Sequence, residues 1–211
     1  MDMPTIQTED VRSRAAADAL LSAASDGREY DVATLLERGV PVDVTDGQGN
    51  SPLLLATAHN RVAVARQLVA AGADVNQQNR IHDSAYLLAG AAGRLEILQL
   101  TLAHGADLRS TNRYGGTALI PACERGHVDV VATLLKAGVD PDHVNKLGWT
   151  GLLEAILLSD GGPRHQAIVK QLIEAGANLN LADNDGITPL QHARQRNQTT
   201  IARMLEVAGA H

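Results

Sequence analysis

The sequence predicts an all-α solenoid, a single file of about six helix-turn-helix units joined by short turns. Three observations carry that prediction. Glycines that close a helical run recur at Gly39, Gly72, Gly105, Gly138, Gly176 and Gly209, in steps of 33, 33, 33, 38 and 33 residues. Between them each unit reads as a helix opener, an apolar helical run, a break such as Gly126 and a second helical run. A fixed period near 33 of this kind is the signature of stacked modules. Finally, aromatics make up only 2% of the chain and Phe is absent, while Ala and Leu are plentiful, which suits thin helices packed closely side by side.

Residues Met1–Gln7 read as a loose leader, with Thr8 as the N-cap of a first helix whose first turn carries Glu9 and Asp10, favoured there by the helix dipole. That helix runs to near Gly27, and a second, roughly Asp31 to Arg38, carries Val32, Leu35 and Leu36 at helical spacing. This pair, residues 15–46, lacks the later openings and reads as an N-terminal cap. The next unit, 47–79, opens at Ser51 with Pro52 in the first helical position, where a missing N–H costs nothing. Ser84, Thr117, Thr150 and Thr188 are the expected N-caps of units 80–112, 113–145, 146–183 and 184–211. Connectors such as Gly72-Ala73-Asp74-Val75-Asn76 lead to an Asx residue (Asp46, Asn79, Asn112, Asn145, Asp183) three before a usual Gly, which is turn chemistry. Arg194, Gln195, Arg196, Gln198 and Thr200 give the last unit the polar outer face of a C-terminal cap.

On these residues, from about 15 to 211, the chain resembles the ankyrin repeat family, most closely small stand-alone bacterial ankyrin proteins. The resemblance implies helix pairs with projecting hairpins, and a partner protein held on the hairpin tips and the concave inner-helix face. Two departures stand out. The family's His after Thr-Pro-Leu is replaced by Leu54, Leu87, Ile120, Leu153 and Gln191, so its local hydrogen bonds are expected to be missing. His82 stands where the hairpin Gly belongs, which puts that turn in question.

A net charge of −6 argues against a nucleic-acid partner, and no apolar run approaches the length needed to span a membrane. The N-terminus carries no basic-then-apolar signal pattern, so the expected location is cytoplasmic, or exported if a signal was removed before residue 1. A monomer is expected. The single Cys123 reads as buried filler. Nucleophile, phosphate-loop and metal-ligand signatures are missing from the sequence, so no enzyme, cofactor or metal is expected.

Three regions are candidates for function. At the tips, Arg113, Tyr114, Lys146, Leu147, Trp149, Asp185 and Ile187 are expected to be exposed, beside Ile81. Two of the four aromatics fall in this row, a composition like that of binding hot spots, although Trp149 folded back as packing is the plainer alternative. Positions four and eight residues into the inner helices place Arg125, Glu154, Leu158 and His192 on the concave face, with Glu124 nearby. Glu154 and Arg125 are expected to form a solvated ion pair, or to join Glu124 and His192 in a polar floor that meets a partner. The five extra residues around Ser159 to His165 read as a loop over the concave floor, or as a longer inner helix whose excess can be deleted at little cost. A small-molecule or ion site closed by Glu124, Glu154, Trp149 and His165 is the alternative to protein binding.

Overall fold

A computed structural model describes the backbone from Thr5 to His211 and the side chains from Val11 onward. Twelve helices lie among the described residues, in six pairs: α1 (Thr5–Asp26) with α2 (Glu29–Glu37), α3 (Pro52–Ala58) with α4 (Val62–Ala70), α5 (Ala85–Ala91) with α6 (Leu95–Ala103), α7 (Leu119–Glu124) with α8 (Val128–Ala137), α9 (Gly151–Leu157) with α10 (Pro163–Glu174), and α11 (Pro189–Gln195) with α12 (Thr199–Val207). Odd-numbered helices pack on one another in order to form the inner row, and even-numbered helices form the outer row. Helix α1 begins at Thr5, so Thr8 is not its N-cap and Thr5–Gln7 are not loose. Nothing between Thr5 and Asp26 breaks a helix, since no Gly or Pro falls there. Residues 1–4 of the expected leader lie outside the described residues.

The period in sequence is a period in the core. Leu20, Leu53, Tyr86, Leu119, Leu152 and Leu190 occupy one inner-helix position, and Ala23, Ala56, Ala89, Ala122, Ala155 and Ala193 another three residues on; all are buried. The outer row repeats this with Val32, Ala65, Leu98, Val131, Val169 and Ala202. Each buried Leu contributes about 2 kcal/mol, more than any single cap or turn bond, so packing sets the architecture and the polar bonds set its details.

Ser51, Ser84, Thr150 and Thr188 cap their helices as expected, each side chain accepting the N–H three residues on. Thr117 does not. In the other units the carbonyl of the cap residue accepts the N–H four residues later, but in this unit that residue is Pro121, which has none. The Thr117 carbonyl instead takes the Ile120 N–H, α7 starts late at Leu119, and the Thr117 hydroxyl is buried without a partner. Gln191, by contrast, restores a local bond at the family's His position, since its side chain accepts the Thr188 N–H in a capping box.

The connectors are turns, and no strand is present among the described residues, so the expected hairpins are hairpin-like without a ladder. Neighbouring connectors are tied by side chains of one register position. Asp43 accepts the Asp74 N–H, Asn76 the Asp107 N–H, Asp142 the Asn178 N–H and Asn180 the His211 N–H. Arg109 holds that position in the third connector and has no acceptor to offer the Asp140 N–H.

The five-residue excess lengthens neither inner helix nor floor. Helix α9 has the usual seven residues, whereas α10 has twelve. The loop is built into the stack: the Gln198 amide, buried rather than on a polar outer face, donates to the Ile156 and Ser159 carbonyls, and His165 Nε2 lies 2.9 Å from the Glu124 carbonyl.

Two stability changes follow. Arg109→Asn completes the connector series and should stabilise the chain by about 1 kcal/mol in urea unfolding. Deletion of residues 160–164 strips Gln198 and His165 of their setting and should lower the melting temperature by on the order of 5 °C; an unchanged transition would mean the loop is peripheral after all.

Candidate functional site

Each turn is organised by its Asx residue. The side-chain oxygen of Asp46, Asn79, Asn112, Asn145 and Asp183 accepts the backbone N–H groups two and four residues on. The residue between those donors adopts positive φ: Gly49, Gly115, Gly148 and Gly186, and His82 at 61°. The His82 turn is therefore kept, at the cost of a conformation that a side chain rarely adopts. This geometry turns the two residues after the anchor outward. Ile81, Tyr114 and Leu147 form a row 44%, 54% and 53% exposed. Beside them the Arg113 guanidinium lies 4.8 Å from the Tyr114 ring centroid, a cation–π contact, while Lys146 Nζ donates to the Arg113 carbonyl at 2.8 Å and its N–H to the Tyr114 carbonyl.

Nine residues after each anchor stands one inner-helix position, filled by Leu55, Leu88, Pro121, Glu154 and His192. Where that residue is polar, the anchor bonds to it. Asn145 Nδ2 donates to Glu154 Oε1 at 2.8 Å, and His192 Nε2 lies 2.7 Å from Asp183 Oδ2. Glu154 is only 6% exposed. Burial and the nearby charge of Glu124 push its carboxyl up to about 7, against the opposing Asn145 hydrogen bond and Arg125 charge. The Asp183 carboxyl is held below its usual range, chiefly by the Ile187 N–H and then by His192 against the cost of burial.

Tips and inner helices meet in a groove of about 390 Å³ across the third to fifth units. Its walls are Asp83, Arg113, Tyr114 and Leu147 on the tip side and Leu88, Ile120, Pro121, Glu124, Arg125, Glu154 and Leu158 on the helix side. Burial raises the Asp83 carboxyl, opposed by Arg113 and Arg125.

The structure thus brings together Arg113, Tyr114, Glu124, Arg125, Leu147, Glu154 and Leu158. The remaining candidates lie elsewhere. Lys146 is an exposed tip residue outside the groove, and Asp185 and half-buried Ile187 belong to the last tip. Trp149 is half-buried and does not line the groove. His192 is sealed against Asp183, and His165 ties α10 to the turn after α7; neither is presented on the floor. The expected Arg125–Glu154 ion pair is not formed, because Arg125 Nη1 donates to the Ala91 carbonyl at 2.7 Å, one unit away in the opposite direction. Asp83, a tip position expected to be exposed, lines the groove as well, and Leu88 and Asn145 complete it without being candidates. The nine-residue spacing from a tip Asn to a helical Glu was the available sign for Asn145.

The family model described as ankyrin repeats matches in three copies, over residues 6–79, 85–182 and 133–210. The chain belongs to the ankyrin repeat family. An ankyrin repeat domain from Acinetobacter baumannii AYE is 55% identical with a TM-score of 0.89, over 91% of this chain and 98% of that one. The ankyrin repeat protein EF0377 is 44% identical with a TM-score of 0.87, over 90% and 97%. The ankyrin repeat domain of Bcl-3, a member of the IkappaB family, is 28% identical with a TM-score of 0.81, over 92% and 86%. A stretch of 58 residues is 53% identical to the putative ankyrin repeat protein YahD of Escherichia coli (strain K12), a match spanning 28% of this chain and 29% of that protein. Ankyrin repeats generally serve as protein–protein interaction modules and are generally non-catalytic. No described helix is long and apolar enough to cross a membrane.

The raised pKa of Glu154 makes stability pH-dependent. The folded state holds this proton more tightly than the unfolded chain, so the stabilisation is full below about pH 4.5, the ordinary value, and is lost as pH rises through 7. The loss is of order 3 kcal/mol. Urea unfolding at pH 5 and pH 8 should show it in the wild type, and Glu154→Gln, which keeps an acceptor for Asn145, should flatten the difference.

Proposed function

We propose that this ankyrin chain is a non-catalytic binding module that holds one protein partner in the groove between the third and fifth units. The observation that supports this most is the coincidence of two surfaces. The exposed Tyr114 and Leu147 stand on the rim of a groove whose floor carries Glu124, Arg125, Glu154 and Leu158. A large exposed aromatic beside an aliphatic and an Arg has the make-up of an interface hot spot. The tips are held by paired Asx bonds before any partner arrives, so little ordering entropy is lost on contact.

A small-molecule or ion site closed by Trp149 and His165 has less support, since neither residue lines the groove. An open surface edged by hydrophobic tips fits the face of a macromolecule better than an enclosed ligand.

Affinity capture from the native host tests the reading with three proteins side by side. Wild type and an Arg203→Ala control on the exposed outer helix should retain the same partner, and Tyr114→Ala/Leu147→Ala should retain at least about tenfold less at unchanged circular dichroism, a loss of about 1.4 kcal/mol or more. Equal capture by all three would contradict it.

A further inference from the structure

Glu154 is a buried carboxylate that the fold satisfies only by half. Its Oε1 receives the Asn145 amide at 2.8 Å, whereas Oε2 has no hydrogen-bond partner among the described residues, and the side chain lines the groove. The equivalent positions hold Leu55, Leu88 and Pro121, or His192 with its own Asp183 contact. A carboxylate taken from water at this cost calls for a counter-charge.

The groove's own cations line it and their charges reach Asp83 and Glu154, but neither forms an ion pair with a groove carboxylate. Arg125 is committed to the Ala91 carbonyl and Arg113 lies over the Tyr114 ring. Among the described residues, none of Asp83, Glu124 and Glu154 takes part in an ion pair. Glu124 and Glu154 come from successive units and stand close enough for one charge to disfavour the other. The same groove also carries the apolar side chains of Leu88, Ile120 and Leu158.

We propose that the groove is a receptor for an arginine side chain carried by the protein partner, with its guanidinium taken between Glu124 and the free oxygen of Glu154 and its aliphatic stem along Ile120 and Leu158. A guanidinium suits the site better than an ammonium. Its planar fork offers five donors and serves two carboxylates from neighbouring units at once, and it sheds water more easily. The same charge offsets the burial and, after it, the Glu124 charge that together hold the Glu154 carboxyl up to about 7. This inference rests on the protein-binding reading of the groove and adds the chemistry by which the partner is chosen.

N-acetyl-arginine amide is the probe, and N-acetyl-citrulline amide, which is nearly isosteric but uncharged, is its control. Each is titrated into the isotope-labelled full chain while the Asn145 side-chain amide and the backbone amides of Leu147, Glu154 and Leu158 are followed by NMR. The arginine amide should shift these signals saturably and the citrulline amide should leave them in place. Glu154→Gln should weaken the arginine response at least about tenfold. Glu124→Gln, on a half-exposed position that does not threaten the fold, should do the same if Glu154→Gln unfolds. Equal responses to both amides, shifts centred outside the groove, or an arginine response unaltered by the variants would overturn the proposal. If the arginine amide fails while Tyr114→Ala/Leu147→Ala still abolishes capture, the guanidinium is wrong and the protein-binding reading stands. If that double variant captures normally, the reading falls and the proposal falls with it.

Discussion

Six alanines, Ala23, Ala56, Ala89, Ala122, Ala155 and Ala193, set how closely successive inner helices approach, and the functional surface depends on that spacing. A larger side chain in this layer would overpack it by about 1–3 kcal/mol and push two units apart. Close stacking in turn brings each Asx-anchored tip within bonding reach of the next. Arg80 N–H therefore finds the Gln48 carbonyl, and Lys146 N–H the Tyr114 carbonyl. The groove is the concave side of that spacing. It belongs to no single unit, which is why residues from three of them line it.

The same repetition makes the exceptions informative. A position filled by Leu in two units and by Glu in another is a local choice made against an apolar background. Glu154 is tolerated because the tip anchor Asn145 lies nine residues earlier, at the end of the preceding unit, and His192 is tolerated by the same route through Asp183. The Asp183–His192 pair closes on itself, and the Asn145–Glu154 pair leaves an oxygen facing the groove. Pro121 is a second exception in the same wall. It removes the N–H that Thr117 would have used, and the shortened α7 presents its apolar ring to the groove instead.

Much of this was legible in the sequence, because periodic packing and turn chemistry are both written in spacing. The glycine steps gave the units, the openers gave the helix starts, and the Asx residues marked tips whose outward-facing positions include Tyr114 and Leu147. What spacing does not specify is where a long polar side chain goes when its partner lies one unit away. Arg125 was expected to meet Glu154 and reaches Ala91 instead; Gln198 was expected on an outer face and is buried beneath the loop it supports. His165 was placed near the floor but bonds the Glu124 backbone. These directions follow from the free carbonyls at the ends of neighbouring helices, which exist only once the stack is assembled. Thr117 is a different case, because the absence of an N–H at Pro121 is readable in the sequence itself.

The central claim is that the tips are ordered by the fold before any partner binds. Native-state hydrogen exchange of the free chain tests it most directly, at the Tyr114, Leu147 and Trp149 amides held by Asn112 and Asn145. Protection approaching that of the α9 amides is the predicted result. Exchange at the rate of an unstructured loop would show that the ridge forms only on contact, and would contradict the account.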